Sequence, residues 1–193
     1  MTDAPPKPTK HGAVLIRLLK DRPHGTGAEI GVNHGTTAAQ LLGNLPGLHT
    51  YYAVDSWAPY PDYQRTLAAS KHRDQESFDL ACQKFMGRIL PYTERVFVLM
   101  AISTLAAKAV PDGSLDFVFI DANHSYEYVR ADIAAWTPKV RVGGIVAGHD
   151  YLARSRAGEE WGVIRAVREA FGAAAHTEPH HVWWVEIADG RRQ

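Results

Sequence analysis

The chain of 193 residues carries 21 basic and 21 acidic residues, so its formal charge is zero and argues against a nucleic-acid footprint or a membrane-surface patch. Hydrophobic residues make up 46% and charged residues 22%, an ordinary globular balance, and no apolar run approaches the roughly 20 residues of a membrane helix. The single cysteine, Cys82, excludes an intrachain disulfide and fits the cytoplasm. The Pro-rich start MTDAPPKPTK is expected to form a disordered tail over residues 1–10, with a single domain over 11–193.

In chain order, residues 11–22 place Val14, Leu15, Leu18 and Leu19 on one helical face. GAEIGV (27–32) predicts a strand and 35–45 a helix, followed by a second strand over 49–57. The stretch from Ala58 to Arg73, rich in Pro, Tyr and charge, reads as a loop with a short helix. From Glu76 to Leu90 the residues Phe78, Ala81, Cys82, Phe85, Met86, Ile89 and Leu90 follow helical spacing, which makes Cys82 a core residue. RVFVLMA (95–101) is the third strand and 104–110 a helix. SLDFVFID (114–121) is the fourth strand, and a helix runs from about Ser125, its expected cap, to Val140. GGIVAGHD (143–150) is a fifth strand, 161–172 a helix stopped at Gly172, and HVWWVEIA (181–188) a last strand. Apolar strands alternating with amphipathic helices predict an α/β fold with a doubly wound, mostly parallel sheet. Ligands bind such sheets beyond the carboxyl ends of the strands.

At the first strand end, AEIGVNHGTTA has Gly31 and Gly35 but neither a pyrophosphate fingerprint nor a P-loop. Glu29 is an acid on a buried strand and needs a partner, which a cationic amino group on a ligand would supply. Asp55 ends the second strand, where an acid accepts both hydroxyls of a ribose. An adenosine with a ribose diol, an amino-acid tail and no phosphate is S-adenosylmethionine.

With E-I-G-x-x-x-G, V-D-S-W, F-I-D-A-N-H-S-Y and G-G-I-V-A-G-H-D-Y in this order, the sequence resembles the class I S-adenosylmethionine-dependent methyltransferases over roughly residues 10 to 190. It is most similar to the macrocin- and mycinamicin-type sugar O-methyltransferases, with catechol methyltransferases as more distant kin. The resemblance implies a Rossmann-like sheet of seven strands. It also implies that Glu29, Gly31, Asn33, Gly35 and Thr36 surround the methionine part, that Asp55 holds the ribose, that Trp57 flanks ribose or adenine, and that Ser103 meets the adenine edge. A packed lid aromatic is the alternative for Trp57, and a helix cap for Ser103.

Methyl transfer to a hydroxyl benefits from a divalent metal on the acceptor oxygen and a base beside it. Asp121 ends the fourth strand, and His149 and Asp150 end the fifth, so the three can converge as metal ligands. Similar methyltransferases carry acid–acid or acid–amide at the last two positions; His149 departs from that pattern. Imidazole shifts the preference from magnesium toward manganese, iron, nickel or zinc, or else leaves no metal site. His124 matches the position of the general base in the sugar enzymes, which makes His124 and Asp121 the candidate catalytic pair. An unperturbed imidazole titrates near neutrality, which suits proton uptake.

The expected activity is therefore O-methylation of a sugar or other small hydroxylated molecule, with S-adenosylmethionine and a divalent cation, Mg or Mn, as cofactors. Neither nucleic acid nor membrane is an expected partner, and a homodimer is expected by likeness to such enzymes. Trp57, Tyr60 and Tyr63 are expected to fold over the acceptor; Arg154 and Arg156 read as solvated charges or as contacts to an anionic acceptor. The alternatives are metal-independent transfer, a non-catalytic cofactor-binding protein and, ranked lowest, a dehydrogenase.

Overall fold

A computed structural model describes residues 7–59, 74–153 and 161–189. The expected lid residues Tyr60 and Tyr63, the loop arginines Arg154 and Arg156, and most of the expected N-terminal tail lie outside the described residues. Helix α1 spans Lys10–Leu19, capped by Thr9, whose hydroxyl accepts from the Gly12 N–H; Val14, Leu15, Leu18 and Leu19 are all buried on it. Lys7 and Thr9, within the stretch expected to be a disordered tail, are tied to Gln40 of the next helix.

Strand β1 (Thr26–Ile30), α2 (Thr36–Asn44), β2 (Thr50–Asp55) and α3 (Gln75–Ile89) follow, then β3 (Val96–Met100), α4 (Ser103–Ala106) and β4 (Leu115–Ile120). The chain continues through α5 (Tyr126–Trp136), β5 (Val140–Gly148), α6 (Val163–Phe171), β6 (His176–Glu178) and β7 (Val182–Glu186). The seven strands form one sheet in the order β3-β2-β1-β4-β5-β7-β6. The first five run parallel, and β7 pairs antiparallel with both β5 and β6. The seven-stranded, mostly parallel α/β sheet matches the expectation. Among the described residues only β6, three residues long, has no counterpart among the strands traced from the sequence.

Alternation along the strands divides the core in two. Tyr51, Ala53, Phe117 and Phe119 face the apolar sides of α1, α2 and α3. Ala28, Ile30, Val118, Ile120 and Val146 face α4, α5 and α6. Within α3, Phe78, Ala81, Phe85 and Ile89 are buried and Cys82 packs against them, as its spacing predicts. Met86 and Leu90 depart from it: both are exposed, because the buried stripe is one residue wide at that end of the helix. β3 is the sheet edge, which leaves Phe97 and Met100 exposed and explains why an apolar strand need not be a buried one. Among the described residues no helix is long and apolar enough to cross a membrane.

One buried acid belongs to the scaffold. Asp132 of α5 is 5% exposed and bonds the Ser103 hydroxyl, which also accepts from the Trp136 indole N–H at 2.8 Å. Burial raises its pKa to about 6, against a weaker opposing pull from Ser103. The folded state therefore holds this proton more tightly than the unfolded chain, whose aspartate titrates near 3.9. Above pH 6 folding carries the full cost of an ionised buried carboxylate; below pH 4 the group is neutral in both states and the cost vanishes. Asp132→Asn is thus expected to stabilise the protein by about 1–3 kcal/mol at pH 8, an order-of-magnitude figure from the size of the shift. Urea melts at several pH values should show that gain shrinking toward zero near pH 4; a gain independent of pH would contradict the assignment.

Candidate active site

The strand order reverses between β1 and β4, and the carboxyl ends of β2, β1, β4 and β5 form one continuous edge. Backbone bonds set its register: the N–H groups of Gly31, Asp121 and His149 donate to Val54, Ile30 and Ile120 at 2.8, 2.8 and 3.1 Å. Three residues along this edge, Asn33, Trp57 and Asp150, adopt positive φ without being glycine. Strained backbone of this kind concentrates where function fixes a geometry.

On the β1–β2 side, Asp55 accepts the Asn33 N–H on one carboxylate oxygen and the Trp57 N–H on the other, both at 2.9 Å. Two backbone donors hold the carboxylate at the crevice in a fixed orientation. The other expected cofactor residues divide. Asn33 and Thr36 are exposed at the crevice and Gly35 starts α2, but Gly31 and Gly35 are needed by the fold itself. A Cβ on Gly31 would meet the Asp121 carbonyl oxygen at 2.5 Å, and one on Gly35 would meet the Phe85 ring at 2.6 Å. Glu29 is fully buried and its partner is not left to a ligand: the Tyr51 hydroxyl donates to it. Burial nonetheless raises the Glu29 pKa to about 8, with the charges of Asp121 and Asp55 adding to the rise.

Trp57 does not stand over the crevice. It is 3% exposed, packs on Phe85 at 5.1 Å and donates its indole N–H to the Asn33 carbonyl, so it braces the turn from beneath. Ser103 is neither a cap nor open to a ligand through its hydroxyl, which Trp136 and Asp132 occupy; Ile102 is the cap residue. Ser125 does occupy the cap position of α5, but its side chain caps nothing. Its hydroxyl and N–H both donate to the Asn123 side-chain oxygen, at 2.8 and 2.9 Å, closing a turn that aims His124 at the edge.

On the β4–β5 side the strand ends bring titratable side chains together. Asp121, His124 and Asp150 each bring one ligand atom within 4.8 Å of the others. His124 Nε2 lies 2.9 Å from Asp150 and 3.8 Å from Asp121. The nitrogen is buried, and it meets both carboxylates as an ion-pair contact. His149, expected in the metal set where this trio has His124, faces the same carboxylates: its Nδ1 is 3.5 Å from Asp121 Oδ1 and 3.3 Å from Asp150 Oδ2.

These four groups titrate each other. Burial alone would raise the carboxyl of Asp121, yet contacts from His124 and His149 outweigh it and hold Asp121 far below the usual carboxylate range; Asp150 is lowered by the same pair. Burial disfavours charge on both imidazoles, but Asp121 and Asp150 overcome it and raise His124 to about 9 and His149 to about 10. The near-neutral titration expected of His124 thus fails here, since two carboxylates within 4 Å stabilise its charged form.

Two further side chains complete the site and were not among the expected residues. Trp161 stacks on the His124 ring at 4.4 Å, and His11 sits 4.6 Å from the His149 ring. His11 had a signal: it precedes Val14 and Leu15 by three and four positions, so it begins the apolar stripe of α1. Trp161 had none, because its contact depends on how the chain returns to α6.

The sequence profile of a family described as "Methyltransferase domain" matches residues 28–151, more than half of the chain. A curated relative, the uncharacterized protein y4gI of Sinorhizobium fredii, is 30% identical over 91 residues, which are 45% of this chain and 10% of that one. The chain thus spans only a small part of that relative's length. Among solved structures, an O-methyltransferase family protein from Burkholderia thailandensis is similar at TM-score 0.64 and 16% identity, over 94% of this chain and 56% of that one. The O-methyltransferase NovP is similar at TM-score 0.64 and 17% identity, over 93% and 79%. The MycE methyltransferase of the mycinamycin biosynthetic pathway, solved with Mg, SAH and mycinamycin VI, gives TM-score 0.56 and 17% identity, over 93% and 50%. At these identities the structural likeness establishes the shared α/β fold.

Proposed function

The chain belongs to this family of methyltransferase domains, and on that premise we propose that it transfers the methyl group of S-adenosylmethionine to a hydroxyl of a small molecule, such as a sugar, with a divalent cation. The observation that carries the proposal is the meeting of Asp121, His124 and Asp150 at the β4–β5 strand ends, on the same edge as Asp55. Asp121 and Asp150, both held ionised, form an oxygen donor pair that fits a divalent ion such as Mg or Mn. A cation held by Asp121 and Asp150 would bind the acceptor oxygen, lower its pKa and relieve His124 of the proton those carboxylates otherwise hold on it.

The chain's own residues would then divide the work. Asp55, fixed by two N–H donors, accepts the ribose hydroxyls. Glu29, Gly31, Asn33, Gly35 and Thr36 border the methionine part. The acceptor oxygen forms a bond to the methyl carbon as the carbon–sulfur bond breaks, which leaves a neutral thioether, and the hydroxyl proton passes to His124 Nε2. Trp161 limits how far His124 can turn away. A second reading, metal-independent transfer, is favoured by His149, whose positive charge already partly balances the two carboxylates.

The test is formation of S-adenosylhomocysteine from S-adenosylmethionine with a panel of sugars and phenols, with and without Mg or Mn. Asp55→Ala is expected to weaken cofactor binding by about 10- to 100-fold, the worth of charge-assisted hydrogen bonds to a diol. Tight cofactor binding with no turnover of any acceptor would favour the binding-only alternative.

A further inference from the structure

We propose that His149 is a metal ligand through Nδ1, which makes this centre selective for a nitrogen-accepting first-row transition ion over magnesium. The inference rests on the cation-assisted reading above. It concerns which ion is taken rather than whether methyl transfer occurs.

The first observation is the tautomer. His149 Nε2 lies 3.0 Å from the His180 carbonyl oxygen, which can only accept. Nε2 therefore carries the hydrogen, and a neutral His149 presents its lone pair from Nδ1. That is the arrangement by which proteins orient ligating histidines: the distal N–H is anchored on a carbonyl or carboxylate, and the other nitrogen is turned to the ion.

The second is the aim of that nitrogen. Nδ1 is 3.5 Å from Asp121 Oδ1 and 3.3 Å from Asp150 Oδ2. Bonds of about 2.1 Å at octahedral or tetrahedral angles place neighbouring donor atoms roughly 3.0–3.4 Å apart. Both separations from Nδ1 thus already stand near the spacing of donors that share an ion.

The third is the rigidity of the support. His180 and His181 both hold positive φ, 65° and 63°, in the turn before β7. The His181 carbonyl accepts the Tyr151 N–H at 2.9 Å, tying this strained turn to the segment that carries His149 and Asp150. On the other side the His149 ring meets the His11 ring at 4.6 Å, and His11 Nε2 is held by the Thr37 hydroxyl at 3.1 Å. A surface histidine needs no such frame. A ligand does, because a small misplacement weakens binding.

Magnesium demands oxygen donors, whereas imidazole suits manganese, iron, nickel and zinc. The readout is the ratio of Mn²⁺ to Mg²⁺ affinity, measured by calorimetric titration of the full chain with each metal alone. Wild type is expected to favour Mn²⁺ by at least about tenfold, and His149→Asp, which supplies an oxygen in place of the nitrogen, should lower that ratio by about tenfold or more. His149→Ala should weaken Mn²⁺ binding while His124→Ala largely retains it, with circular dichroism as the check on folding. In ¹⁵N-histidine protein, pulsed EPR of bound Mn²⁺ should show nitrogen coupling that disappears in His149→Ala. An unchanged ratio in His149→Asp, a loss confined to His124→Ala, or no metal binding would overturn the proposal. None of these readouts needs turnover, so a protein that binds Mn²⁺ through His149 yet methylates nothing upholds this inference and overturns the proposed activity.

Discussion

His124→Ala is expected to lower turnover by about 10²- to 10⁴-fold, the usual contribution of a positioned acid or base, with cofactor affinity largely unchanged. The asymmetry follows from position. His124 stands on the β4–β5 side of the edge, against Asp150 at 2.9 Å and under Trp161, while Asp55, proposed to hold the ribose, closes β2 on the far side of β1. No cofactor contact is asked of the imidazole. Its removal should also leave the local fold standing, because the turn is closed by Asn123 and Ser125 and by the Gly162 N–H donating to the backbone carbonyl of residue 124 at 2.9 Å. Single-turnover measurement with saturating cofactor separates the effect on chemistry from any on binding. A variant that turns over at the wild-type rate would remove His124 from the proton transfer. A variant that loses cofactor affinity in proportion would make it a structural residue.

Where the sequence could be read, it could be read because one strand or helix carried the whole signal. The face of Val14, Leu15, Leu18 and Leu19 and the strand FVFI need only a local period to be placed. Asp55, Asp121 and Asp150 were legible for a related reason: a parallel sheet puts all its carboxyl ends on one edge, so a polar residue just past an apolar run falls at the crevice. What was not legible depends on pairs of elements. Trp57 looked like a ligand platform because nothing local shows that its φ of 42° turns the indole down onto Phe85. Glu29 has a protein partner that its own strand does not show, because Tyr51 comes from the neighbouring strand. The Ser103 hydroxyl is held by Asp132 and Trp136, both far along the chain on α5. Burial patterns erred at the sheet edge, where Phe97 shows that strand composition alone does not tell an edge from a centre.

Gly31→Ala should be the most destabilising small change at the site. At φ 89° an alanine bears roughly 1–2 kcal/mol of backbone strain. Its Cβ would stand 2.5 Å from the Asp121 carbonyl oxygen and 2.6 Å from the Ala122 Cα. Both are backbone atoms at the end of β4, and neither can move aside by a rotamer change. Relieving such overlap typically costs a further 1–3 kcal/mol, so the total is about 2–5 kcal/mol out of a margin that for a domain is about 5–15 kcal/mol. Gly113 supplies the matched control. It has φ 66° but nothing lies within 4 Å of the place its Cβ would take, so Gly113→Ala meets the conformational cost alone. Urea unfolding of the two variants isolates the steric part as the difference between them. The same displacement has a functional consequence, because the atoms that must yield belong to Asp121 and its neighbour. The folded fraction of Gly31→Ala should therefore bind Mn²⁺ more weakly than wild type, while Gly113→Ala should not differ from it. Equal loss of stability in the two variants would mean that β1 and β4 can separate at their carboxyl ends, and the close packing that sets the spacing between Asp55 and Asp121 would not be the constraint inferred from Gly31.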